Sequence, residues 1–295
     1  MFRMTTATLA LIVLASGCSS AGNTSASTTG PLRVVATTTI LSDFVQVIGG
    51  ERVSVYGILK PNVDPHDYEP APIDLEALRK AKVIVKNGVG LEAWLDDTMS
   101  SSGSKATVVD ASNGINLHGK DPHIWHDPRN AMQMVSTITN ALVTADPGGA
   151  SVYAQRRDAY LTELGALDTE IAADIATLGN KKLVTNHDAF GYFVARYGLE
   201  FIGSVIPSFD TSAELSATEL RQLVAAIKAQ GVKAVFSETS LPAKTAQSVA
   251  DEAGVKVIAG PESLYGDGLG PADSDGATYL TMMRHNSRTI VSNLR

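Results

Sequence analysis

A single cysteine, Cys18, stands in a chain of 295 residues. That rules out an intrachain disulfide and any cysteine-built metal site. A transition metal held here must take its donors from His, Asp and Glu. Basic runs are also missing: 24 Lys and Arg face 31 Asp and Glu, a formal net charge of −7. With a pI near 5.4 and no basic patch, a nucleic-acid partner is excluded. No apolar run reaches the roughly 20 residues that a membrane-spanning helix needs, and no His-Glu-x-x-His motif occurs. What is present is globular composition, 44% hydrophobic and 19% charged. That suffices for a proper core in one large domain or two lobes.

The N-terminus combines Arg3, an apolar stretch from Ala7 to Ala15 and the small residues Ser16-Gly17 before Cys18. A charged start, a short apolar centre and a small-residue break make an export signal over residues 1–18. Leu14-Ala15-Ser16-Gly17-Cys18 resembles a bacterial lipobox, so Cys18 is expected to be lipidated and to anchor the mature chain to the membrane. Residues 19–30 are small and polar without periodicity, the composition of a flexible tether.

From Pro31 the pattern is α/β. Short β-branched runs at 33–38, 53–59, 82–86 and 107–109 alternate with helical periodicity at 41–48, 73–80 and 91–99. A helix is expected from Pro128 to about Leu142, then a break at Asp146-Pro147-Gly148-Gly149. Beyond it a long helix is expected over 150–178. The alternation restarts with strands at 182–185, 201–205, 234–237 and 255–258 and helices at 189–197, 216–230, 243–253 and 277–294. The reading is two α/β lobes, 31–148 and 180–295, each a parallel sheet flanked by helices. A rigid helix over 149–179 joins them.

The histidines do not fall at random on this map. His66 lies beyond the second strand, His123 and His126 follow the fourth, and His187 follows the first strand of the second lobe. Ligands collect at the carboxyl ends of parallel strands, so these imidazoles can converge between the lobes on a metal. Asp-Pro pairs bracket His123 and His126 and stiffen their loop. Two carboxylates stand at matching strand ends: Glu238, which could equally cap or brace, and Asp267, which could equally be a Gly-Asp-Gly turn.

Pro65-His66-Asp67-Tyr68-Glu69-Pro70, Asp121-Pro122-His123-Ile124-Trp125, His187-Asp188-Ala189-Phe190 and Tyr279-x-x-Met282-Met283 carry a family resemblance. In this order they resemble the ZnuA/TroA-like, cluster A-I solute-binding proteins, the zinc- and manganese-binding lipoproteins of bacterial ABC importers. The resemblance runs from about Val34 to Leu294. It implies two α/β lobes on one long helix with metal in the cleft between them, and cargo delivery to a membrane permease with a cytoplasmic ATPase. It further implies His66, His123, His187 and Asp267 as ligands, with Glu238 matching a family glutamate near the site that is usually not a direct ligand; His126 is a neighbour that either assists or merely packs. Where manganese-type members tend to carry Glu, this chain has His187. Three imidazoles and one carboxylate suit Zn²⁺, with Mn²⁺ second. The His-rich insertion of many zinc members is missing; His118 and His126 are its only trace. His285, on the last helix, reads as structural.

The expected molecule is therefore an extracytoplasmic monomer, in the periplasm or on the cell surface, that catalyses nothing. Two other classes compete: an exported zinc hydrolase with Glu238 as general base, and a lipid-anchored adhesin, for which no residue pattern speaks.

Overall fold

The computed structural model describes Met1, residues 30–213 and residues 216–295. The export signal beyond Met1, the tether and the lipidation expected at Cys18 lie outside the described residues.

Strands β1 (Leu32–Ala36), β2 (Val53–Gly57), β3 (Val83–Lys86) and β4 (Thr107–Asp110) form a parallel sheet in the order β2-β1-β3-β4. Helices α1 (Thr39–Gly49), α2 (Pro72–Lys80) and α3 (Leu95–Ser102) are its crossovers, and α4 (Pro128–Ala145) follows. In the second lobe β5 (Lys182–His187) pairs with β6 (Glu200–Ile206), and β7 (Ala234–Phe236) with β8 (Lys256–Ile258). Because β7 packs beside β5, the strands lie in the order β6-β5-β7-β8. Helices α6 (Gly191–Tyr197), α7 (Ala217–Gln230) and α8 (Ala243–Ala253) are the crossovers here, and α9 (Tyr279–Leu294) ends the chain. The second lobe thus repeats the strand order of the first. In both, the order reverses beside the first strand, at a switch point where a parallel sheet opens a crevice.

Strand alternation decides what is buried where. Val34, Ala36, Val83 and Val85 face a central core, while Val35 and Ile84 face an outer one under α2 and α3. In the second lobe Leu183, Ala234 and Phe236 face the same central core, and Val184 and Val235 face an outer layer with α7 and α8. The two lobes therefore do not have separate centres. One apolar cluster runs from β1 to α9, and the long helix α5 (Ala150–Ala176) passes through it.

At 1.5 Å per residue α5 is about 40 Å long. It buries Tyr153, Tyr160, Leu164, Leu167, Ile171 and Ile175 against α1 and α4 on one side and α6 and α9 on the other. Its start is pinned by Asp146, which accepts Tyr153 Oη–H at 2.7 Å and is gripped by Arg52 through Nε and Nη2 at 2.9 and 2.7 Å. Farther along, Asp168 accepts hydrogen bonds from Arg196 and Tyr197 of α6.

One expected element is displaced. Helical periodicity places a start near Leu91, but α3 begins at Leu95. Residues 87–92 instead wrap around the buried Glu92 carboxylate, which accepts the N–H groups of Asn87 (2.6 Å) and Gly88 (3.1 Å) and the Thr37 hydroxyl (2.6 Å). The wrap needs positive φ at Gly88, Val89 and Gly90, which no helix supplies.

Candidate metal centre

Asp-Pro turns build the first-lobe half of the site. Asp64 Oδ1 accepts the His66 N–H at 2.9 Å, and Asp121 Oδ1 accepts the His123 N–H at 3.0 Å. In each case the aspartate binds its own backbone two residues on, the turn that Asp favours, with proline restraining the residue between. The same turn recurs at Asp127, whose Oδ1 accepts the Arg129 N–H and starts α4. The two loops are also tied to their neighbours. Trp94 Nε1–H donates to the Pro65 carbonyl (3.1 Å), and Asn87 Nδ2–H donates to the Pro122 carbonyl (2.9 Å).

The second-lobe half is set by strand ends. His187 is the last residue of β5, and its N–H donates to Glu238 Oε1 at 2.8 Å, just beyond β7. Asp267 follows β8 between Gly266 and Gly268. Gly266 must lack a side chain, since a Cβ there would overlap Glu238 Oε2. Its carbonyl accepts Trp125 Nε1–H (3.1 Å) and lies 2.9 Å from His126 Nε2, binding the Asp267 loop to the aromatic loop of the other lobe.

His66, His123, His187 and Asp267 each point one donor atom at a common centre, all within 4.8 Å of one another. Asp267 Oδ1 lies 3.4 Å from His123 Nε2, 3.3 Å from His187 Nε2 and 3.8 Å from His66 Nε2, and the Nε2 atoms of His123 and His187 are 3.3 Å apart. A tetrahedral ion with donors at about 2.0–2.1 Å has edges of about 3.3–3.4 Å. Most of these separations match that edge, with His66 slightly outside. His123 and His187 are wholly buried, Asp267 is 2% exposed, and His66 is the most open of the four. Neither His66 Nε2 nor Asp267 Oδ1 has a hydrogen-bond partner within the protein, so each is a buried polar atom in need of a cation or donor.

The chain matches the family model for the zinc-uptake complex component A, periplasmic, over residues 34–293. It belongs to that family. It is 34% identical to the manganese-binding lipoprotein MntA of Halalkalibacterium halodurans, covering 97% of this chain and 96% of the relative. It is 32% identical to the zinc-binding protein TroA of Treponema pallidum, covering 99% and 98%. The solved structure of that periplasmic zinc-binding TroA superposes with a TM-score of 0.83 over 90% of this chain and 99% of that one.

In this member of the zinc-uptake family the two fully buried imidazoles of the donor cluster, His123 and His187, each have a carboxylate behind them. Asp121 Oδ1 lies 2.8 Å from His123 Nδ1, and Glu238 Oε2 lies 2.7 Å from His187 Nδ1. A carboxylate at Nδ1 keeps the ring proton there and leaves the Nε2 lone pair facing the centre. Burial pulls the His123 and His187 pKa values down, but Asp121, Asp267 and Glu238 more than reverse it, and both stand above the ordinary histidine value, His187 well above. Burial likewise pushes the Asp267 carboxyl up, yet the His187, His123 and His66 imidazoles hold it well below the usual carboxylate range. Three carboxylates around three imidazoles leave the pocket rich in negative charge and suited to a dication. Asp267 presents one oxygen only, because Oδ2 accepts the Ser240 hydroxyl at 3.2 Å.

The other imidazoles are elsewhere. His126 stacks on Phe190 with centroids 4.4 Å apart, and burial, then the neighbouring His123, pushes its pKa down to about 3, so it packs as a neutral ring. His118 stacks on Tyr192, and His285 lies 3.0 Å from the Ser263 carbonyl through Nε2. Asp121 and Ser240 were not singled out by sequence reasoning. A signal existed for Asp121 in the repeated Asp-Pro-His tripeptide; none marks Ser240.

Proposed function

We propose that this chain captures one Zn²⁺ as cargo through His66, His123, His187 and Asp267 and hands it to the membrane permease of an ABC importer. The reading rests on family membership and on one observation: four inward donors, three imidazole nitrogens and a single carboxylate oxygen, within 4.8 Å of one another, with those of His123, His187 and Asp267 at the separations of a tetrahedron's edge. Closed four-coordinate N/O shells suit Zn²⁺, whereas Mn²⁺ favours more oxygens and more ligands. Asp121 and Glu238 orient two of the rings, and His126 packs beside the site without coordinating. Four protein donors leave no position for a reacting water, so the site binds and does not catalyse.

The functional chain is divided into a lipoprotein signal (1–18) ending at a lipidated Cys18, a tether (19–30), a first lobe (31–148), a linking helix (149–179) and a second lobe (180–295). It works as a monomer outside the cytoplasm, held to the membrane by its lipid. Among the described residues no helix is long and apolar enough to cross a membrane. Manganese is the second reading, favoured by the name of the 34%-identical relative.

Elemental analysis with native mass spectrometry of the purified protein tests the proposal: one zinc per chain is expected, and one manganese would give the second reading. In parallel, His66→Ala and His187→Ala should each weaken zinc binding by two orders of magnitude or more; wild-type titration curves in both variants would refute the site.

A further inference from the structure

Asp64 and Asp121 open the same tripeptide and make the same turn, yet they use their second interaction differently. Asp121 serves its own histidine: Oδ1 accepts the His123 N–H and also faces the ring at Nδ1. Asp64 holds the His66 backbone through Oδ1, but its Oδ2 accepts the hydroxyl of Thr211, a residue of the opposite lobe, at 2.5 Å. Among the described residues this is the one hydrogen bond from the 60–72 loop to the second lobe.

Each end of this contact is rigid on its own side. The His66 loop carries Pro61, Pro65, Pro70 and Pro72, and is bound to the first lobe by Trp94 and by Tyr68, whose hydroxyl donates to Asp74 at 2.8 Å. Just before Asp64, Asn62 takes a positive φ of 62°, a conformation few side chains adopt. Thr211 belongs to the turn after β6, the strand paired with the one that ends in His187. That turn is braced by Asp210, whose Oδ1 accepts both the N–H (2.9 Å) and the hydroxyl (2.7 Å) of Ser212, and by the Ser208 carbonyl, which accepts the Asp188 N–H at 3.2 Å. Phe209 of the same turn places its ring 6.3 Å from that of His123.

We propose that Asp64 and Thr211 form a latch across the mouth of the site that sets how fast cargo leaves. The inference rests on the metal-binding reading of the four donors. His66 is the most open of them and lies farthest from Asp267, so it is the ligand whose withdrawal opens the site. The same aspartate that fixes the His66 backbone is held from the other lobe, so His66 withdraws only when the Thr211 bond breaks. Neither latch residue touches the cargo; both are positioning residues. Their bond exists when the loop is closed, so its loss raises the dissociation rate and leaves entry into the open site unchanged.

The test is stopped-flow release of Zn²⁺ from the full chain into excess chelator, with association measured separately and the Co²⁺ absorption spectrum recorded for each variant. Thr211→Val, which keeps the shape and removes the hydroxyl, should release Zn²⁺ about tenfold faster, the usual scale for one lost hydrogen bond to a charged group. Its association rate and Co²⁺ spectrum should be those of wild type, and Thr211→Ser should restore slow release. A purely structural role for Thr211 would move the spectrum or the melting temperature instead. Wild-type release from Thr211→Val, or fast release from Thr211→Ser, overturns the latch while the metal site stands. A wild-type chain that takes up neither Zn²⁺ nor Co²⁺ overturns the metal reading, and the latch with it.

Discussion

At the scale of single residues, the Nδ1 atoms of His123 and His187 decide which nitrogen each ring offers to the cargo. Glu238 holds His187 twice, through its backbone N–H and beside Nδ1. Glu238→Gln should therefore weaken zinc affinity by about 10- to 100-fold with an unchanged ligand count, the usual effect of losing a ligand's carboxylate partner. Isothermal titration checks it. Acid should act through the same atoms. His123 and His187 have pKa values above the ordinary 6.5, so in the ion-free protein protons occupy them at pH values where a free imidazole is neutral. Metal must displace those protons, so affinity falls as pH drops, and the fall begins above 6.5. Asp267 stays ionised throughout, being held well below the usual carboxylate range. Competitive titrations between about pH 8 and pH 5 should show a monotonic loss toward acid; flat affinity across that window would contradict it.

At the scale of elements, α5 carries the heaviest mechanical duty because one helix serves both halves of the core. Leu167 is fully buried on it, and Leu167→Ala should cost about 2–5 kcal/mol, transfer energy plus a cavity that rigid neighbours cannot fill. Urea unfolding measures this. The elements were mostly legible in the sequence, since β-branched runs and 3.6-residue periodicity are local signals, and α5, α7 and α9 fall where the periodicity places them within about two residues. The start of α3 was not legible. Its pattern is helical, but the competing demand comes from Glu92, whose hydrogen bond from Thr37, just past the end of β1, is a tertiary fact. The site divides the same way. Strand ends gave His66, His123 and His187 as candidates, while the resemblance, rather than spacing, preferred Asp267 to Glu238. Ser240 and Thr211 reach their partners only through folding and carry no local mark.

At the scale of the whole molecule, the central apolar cluster makes the two lobes one thermodynamic body. Calorimetry should show one unfolding transition instead of two, because neither lobe can leave without exposing the other's core. On the proposed reading zinc binds only the folded chain, through donors from both lobes, so the transition should move up with free zinc. A hundredfold excess over Kd adds about 2.7 kcal/mol. A chelator should reverse the shift. The chain has two tryptophans, and each donates its indole N–H to a backbone carbonyl next to a proposed ligand: Trp94 to Pro65, beside His66, and Trp125 to Gly266, beside Asp267. The fold has thereby set one optical gauge against the His66 loop and one against the Asp267 loop. Single-tryptophan versions of the chain would read the two loops separately, and the order in which their signals change during loading is the order in which the two loops engage the cargo.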